Sequence, residues 1–114
     1  NGQIKSRVNF VNGVENGLQE IWYEDGKYKS RTNFLYGDKN GLEETFHKNG
    51  NARSKVNYVN GEKDGLEEIW YESGILKSRF NYAGGDKHGL GEIWNENGTV
   101  KSRTNFINGY KEGE

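Results

Sequence analysis

The sequence predicts an all-β fold: an elongated, single-layer antiparallel meander of about five 24-residue hairpin repeats. Three observations carry this. Gly2, Gly26, Gly50, Gly74 and Gly98 are spaced 24 residues apart, and the series from Gly13 to Gly109 and from Gly17 to Gly113 keep the same period. Period-2 alternation fills the segments between the glycines, and no stretch shows a helical period. Other columns follow the same beat without insertions: Ser6 to Ser102, Asn9 to Asn105, Leu18 to Leu90 and Glu20 to Glu92. A fixed period of this length implies units that stack only on their neighbours.

Each unit reads as two strands. In residues 27–35, Tyr28, Ser30, Thr32 and Phe34 alternate with Lys29, Arg31 and Asn33, the pattern of a half-buried strand. Residues 18–24 form a second strand, rich in aromatic and β-branched side chains. Asp25-Gly26, Asn49-Gly50, Ser73-Gly74 and Asn97-Gly98 stand between the two and predict two-residue type I′ turns. The return, for example residues 37–41, reads as a longer Gly-bounded loop. About nine strands at ~4.8 Å each predict a sheet about 40 Å long. A two-residue turn at Asp25-Gly26 would pair Glu20 with Arg31, Ile21 with Ser30, Trp22 with Lys29 and Tyr23 with Tyr28. A three-residue turn with a bulge would instead carry Leu18, Glu20 and Trp22 to the Tyr28–Phe34 face. The first register is favoured because it pairs opposite charges.

Composition bounds the function. The 114 residues carry a formal net charge of −1, are 31% hydrophobic and 13% aromatic, and include no Cys, Met or Pro. Such a chain folds with a thin core. It has no apolar run of transmembrane length, no disulfide or thiolate chemistry, and no bulk attraction to nucleic acid. Without Met, residue 1 is not read as a native start. The expectation is one repeat array over residues 1–114, cut within a repeat at both ends, and the compartment is left unread.

Catalysis is not expected. His47 and His88 fall in different columns, and no Ser is special, since one Ser column is identical in all five units. The loop acids Asp38, Glu62, Asp64 and Asp86 are interleaved with Lys, so neither a metal nor another cofactor is expected. The glycine loop at residues 85–89 lacks a phosphate-binding pattern and a following helix. What recurs is charge and aromatic surface. Lys5, Arg7, Lys29, Arg31, Arg53, Lys55, Lys77, Arg79, Lys101 and Arg103 form a basic ladder with Glu20, Glu44, Glu68 and Glu92 on the strands between. A single layer cannot bury both faces. The interaction face is therefore assigned to Trp22, Tyr23, Phe46, Trp70, Tyr71 and Trp94 with Lys29, Arg31, Arg53, Lys77 and Arg79.

A unit reading Gly-Leu-x-Glu-Ile-Trp-Tyr-Glu-x-Gly-x-x-Lys-Ser-Arg-x-Asn-Tyr, clearest over residues 41–65 and 65–89, resembles the bacterial MORN-repeat variant family. The resemblance covers the whole chain and implies an elongated, twisted antiparallel sheet. Bacterial members are commonly labelled YwqK-family antitoxins, so the resemblance also implies an antitoxin-like role. The function read from the residues is a non-enzymatic protein–protein interaction scaffold acting by avidity over a repetitive surface. The second reading is peripheral binding to anionic phospholipid or cell-envelope polymers. Nucleic acid is not expected as a partner, and the terminal strands are expected to self-associate through their edges.

Overall fold

A computed structural model describes residues 5–111. The strands are β1 (Ser6–Arg7), β2 (Phe10–Val11), β3 (Val14–Glu15), β4 (Gly17–Trp22), β5 (Tyr28–Leu35), β6 (Asp38–Phe46), β7 (Ala52–Val59), β8 (Glu62–Trp70), β9 (Leu76–Ala83), β10 (Asp86–Lys87), β11 (Gly89–Trp94), β12 (Val100–Ile107) and β13 (Tyr110–Lys111). All pairings are antiparallel, and β1-β4-β5-β6-β7-β8-β9-β11-β12-β13 follow one another across a single sheet, with β10 on β9 and β2 on β3. The result is the meander that the alternation predicts. It measures 53 × 34 × 13 Å. The 13 Å thickness is one sheet with its side chains, and the length exceeds the 40 Å expectation.

The two kinds of turn are exchanged relative to the sequence reading. The two-residue turns with both residues at positive φ lie on the return connections, as at Asn60 (φ 50°) and Gly61 (φ 85°). They leave no long loop, because Asp38 already begins β6. At Asp25-Gly26 only the glycine is at positive φ. There the Gly26 N–H donates to the Tyr23 carbonyl at 3.0 Å and the Tyr23 N–H donates to the Lys27 carbonyl at 2.8 Å, closing a longer turn. The cause is the Asp25 carboxylate, which accepts the Lys27 N–H at 3.0 Å and holds its own residue in an Asx turn. Asn49 does the same for Asn51 at 2.9 Å.

The favoured register holds for Glu20–Arg31 and Ile21–Ser30 and then breaks. A bulge lies between Ile21 and Trp22, so Trp22 faces Tyr28 rather than Lys29. The same irregularity recurs at Thr45/Phe46, Ile69/Trp70 and Ile93/Trp94. Tyr28 thereby leaves the Ser30–Thr32–Phe34 face for the Glu20–Arg31 face, where its hydroxyl donates to Glu20 at 2.9 Å.

Two faces result. The ladder face carries Glu20, Arg31, Glu44, Lys55, Glu68, Arg79, Glu92 and Arg103, paired strand by strand. The hydroxyl face carries Ser30, Thr32, Thr45, Ser54 and Ser78, with Val56 and Glu67. Among the described residues Val56 is the one buried hydrophobic side chain, at 5% exposure, beside buried Thr32, Glu67, Ser78 and Glu92. Stability is therefore spread over strand pairing and neighbour contacts instead of a central core.

Candidate interaction face

The ladder face is built by the Glu–Ile–Trp strand of each repeat, Glu44-Thr45-Phe46 in the second, lying between two basic strands. Glu92 shows the arrangement best. It is 8% exposed. Arg79 Nη2 and Arg103 Nε donate to it at 3.2 and 2.9 Å. The hydrogen bond from Arg79, reinforced by Arg103 against the opposing effect of burial, holds its carboxyl below the ordinary value of 4.5. Glu20 sits between Arg7 and Arg31, each at 3.9 Å, and Lys55 reaches Glu44 at 3.9 Å. Pairing of this kind neutralises the field of the basic ladder that the sequence displays.

The bulge then places an aromatic row beside the charges. Trp22 stacks on Tyr28 with ring centroids 5.6 Å apart, and Tyr28 lies 6.2 Å from Phe46. Cations from neighbouring strands lie over the rings: Arg7 over Trp22 at 5.8 Å, Arg31 over Tyr28 at 5.0 Å, Lys55 over Trp70 at 6.0 Å and Arg79 over Trp94 at 5.6 Å. The aromatics recur every second strand, a spacing of about 9.6 Å. Beyond the charges, Leu42, Leu66 and Leu90 are 41%, 41% and 43% exposed.

The structure thus brings together Trp22, Phe46, Trp70, Trp94, Arg31 and Arg79. The other expected residues lie elsewhere. Tyr23 and Tyr71 turn back to tie one repeat to the next: their hydroxyls donate to the carbonyls of Phe46 at 2.8 Å and Trp94 at 2.7 Å. Lys29 and Lys77 sit over those two rings at 5.8 and 5.7 Å. Lys29 lines an open depression with Lys5, Ser6, Ile21, Trp22, Tyr23, Glu24, Asp25 and Lys48. Arg53 is exposed at the equivalent bulge position. The basic ladder therefore splits, because the bulge removes one cation per repeat from the paired row. Sequence reasoning missed Tyr28 and the exposed leucine column. The leucines were visible as a period-24 column of apolar residues on the same alternation as Glu20.

His47 is not drift without consequence. Its Nε2 lies 2.9 Å from the Trp70 carbonyl, in the place of the Tyr23 and Tyr71 hydroxyls. A carbonyl only accepts, so Nε2 carries the proton.

This geometry is repeated four times, and the profile of a family described as MORN repeat variant matches residues 15–36, 39–60, 63–83 and 87–108, well over half of the chain. The chain belongs to the MORN repeat variant family. No curated protein matches the chain. The matched segments of this MORN array each span one of the longer turns, at Gly26, Gly50, Gly74 or Gly98, and its two flanking strands, so the family unit and the structural hairpin coincide. MORN repeats are in general binding and scaffold modules and generally non-catalytic.

Proposed function

We propose that the chain is a protein–protein interaction scaffold whose contact surface is the ladder face. One observation carries this reading. Trp22, Phe46, Trp70 and Trp94, with the exposed Leu42, Leu66 and Leu90, form a periodic apolar row that the single sheet has no second layer to cover. Aromatic and Arg side chains side by side are the groups that dominate protein interfaces. The equal spacing favours an elongated partner engaged at several repeats, whose contacts add by avidity. An antitoxin-like module that neutralises a partner toxin is the specific form that the family resemblance suggests.

The test is reconstitution of a binary complex from the purified chain and a captured partner, with Kd measured for two variants. Leu66→Lys, on the ladder face, is expected to weaken binding about tenfold by placing a charge at an apolar contact. Lys77→Gln, over the Tyr71 ring, is expected to leave it unchanged. The opposite ranking overturns the reading. For the antitoxin-like form, the captured partner must in addition be a toxin that the chain suppresses in trans.

The second reading, peripheral attachment to anionic phospholipid or envelope polymer, draws on Lys5, Lys29 and Lys48 around one open depression, where Glu24, 3.6 Å from Lys5, and Asp25 offset part of the charge. Co-sedimentation with phosphatidylserine vesicles at two salt concentrations separates the two. Salt-sensitive binding that Lys29→Gln weakens and Leu66→Lys spares supports the second reading against the first. Self-association is proposed at β12, whose outer side is paired only at Phe106 and Ile107 among the described residues. Sedimentation velocity over about a hundredfold concentration range tests it, and a monomer throughout overturns it.

A further inference from the structure

In a repeat protein a dedicated site shows as a place where the repeat breaks. On the hydroxyl face one column repeats as Lys39, Lys63 and Lys87. Lys39 pairs with Glu43 at 3.0 Å and lies over the Tyr58 ring at 5.0 Å. Lys63 pairs with Glu67 at 2.7 Å and lies over the Tyr82 ring at 5.0 Å. The Tyr82 hydroxyl also reaches Glu67, at 3.3 Å. Burial opposes the charge on Lys63, but the bond and charge of Glu67 prevail and hold its ammonium above the ordinary value.

At Lys87 this unit is dismantled. Gly91 stands where Glu43 and Glu67 stand in the preceding repeats, and Phe106 stands where Tyr58 and Tyr82 stand. Phe80 fills the vacated space, so that a Cβ on Gly91 would lie 2.4 Å from its ring. The Lys87 ammonium lies 4.1 Å from the Phe80 centroid and 5.2 Å from that of Phe106. The two rings meet edge to face at 6.0 Å. Among the described residues no carboxylate pairs with Lys87, although both lysines before it in the column have one. The rings stabilise the cation but do not neutralise it.

We propose that the unmatched Lys87 ammonium is a docking point for a carboxylate carried beside an apolar side chain on an extended segment of a partner protein. The partner's Asp or Glu takes the role of the missing repeat carboxylate at Lys87, and its apolar neighbour packs on Phe80 and Phe106. A peptide fits better than a polyanion. The feature is one unmatched charge between two phenyl rings, the chain as a whole carries −1, and the two lysines before it in the column are already neutralised. The proposal rests on the binding-module reading but concerns the opposite face.

The experiment is an amide chemical-shift titration of the whole chain with a capped Glu-Phe-Glu-Phe-Glu peptide. Shifts centred on Phe80, Lys87 and Phe106 are expected, with affinity falling about tenfold in Lys87→Gln. The paired variant Phe80→Val with Gly91→Glu restores the residues of the preceding repeat, Val56 and Glu67, and is expected to fold and to lose the peptide. Lys63→Gln is expected to keep it. Lys87→Gln is a half-exposed change, so the test survives if the paired variant fails to fold. Shifts centred elsewhere, or equal affinity in Lys87→Gln, overturn the proposal. So does Lys87-dependent binding of phosphatidylserine vesicles or a single-stranded oligonucleotide tighter than that of the peptide. Leu66→Lys lies on the ladder face and is expected to leave this titration unchanged, so failure here and failure of the ladder-face reading are separable.

Discussion

The Tyr23 hydroxyl donates a 2.8 Å hydrogen bond to the carbonyl of Phe46, joining the turn of one repeat to the last strand position of the next. Tyr71 repeats the bond to Trp94 at 2.7 Å, and His47 supplies it to Trp70 at 2.9 Å. Tyr71→Phe is expected to lose about 1 kcal/mol, the ordinary worth of one such bond. His47→Phe is expected to lose a similar amount and His47→Tyr to lose none. Urea denaturation midpoints check the ranking, and equal losses for both His47 variants would count against the staple.

Tyr36 occupies a turn position at φ 49° that Asn60 and Asn108 fill in other repeats at 50° and 49°. A bulky residue is strained there, whereas Asn tolerates the left-handed region. Tyr36→Asn is expected to raise stability by about 0.5–1 kcal/mol. Gly61→Ala, at φ 85°, is expected to lower it by about 1 kcal/mol or more. Thermal melts of both variants decide whether the two-residue turns lie where the structure puts them.

Phe80 and Gly91 are a matched pair, since a Cβ on Gly91 would lie 2.4 Å from the Phe80 ring. Gly91→Ala alone is expected to cost about 1–3 kcal/mol by overpacking. In the Phe80→Val background the same change is expected to cost less, with the Phe106 ring, 3.1 Å from the added Cβ, still having to shift. A double-mutant cycle measures the coupling, and strict additivity would contradict the contact.

Glu92 is held below its ordinary value of 4.5 by Arg79, with burial opposing and Arg103 assisting. A carboxylate with a depressed native value contributes stability above its unfolded value. That contribution is lost as pH falls through about 4.5 and then through the native value. Stability is therefore expected to fall on acidification through this window, and Arg79→Gln or Arg103→Gln to flatten the fall. Denaturation midpoints between about pH 6 and pH 3 test this.

Much of the fold was legible because a perfect period leaves little freedom. The glycine columns locate the hairpins, and the Glu20–Arg31 charge pair sets the register across them. The turn types were not legible. Asp25-Gly26 and Asn60-Gly61 look alike as dipeptides, but Asn60 is at positive φ while Asp25 accepts the Lys27 N–H in an Asx turn. Tyr36 is not a residue that signals a turn. The bulge at Lys29 has no sequence mark either, and it alone moves Tyr28 to the other face. This is why only Trp22, Phe46, Trp70, Trp94, Arg31 and Arg79 of the expected residues share the ladder face, while Tyr23 and Tyr71 act as staples. The break at Gly91 was readable as the one Gly-Leu-Gly in the chain, but its consequence for Lys87 needed the cross-strand neighbours.

Every functional statement above depends on a sheet without a core, held by contacts between adjacent repeats. The most direct measurement is chemical denaturation of fragments containing two, three and four repeats. The account predicts a midpoint that rises with each repeat, because each addition supplies one more interface. A midpoint independent of repeat number would contradict it.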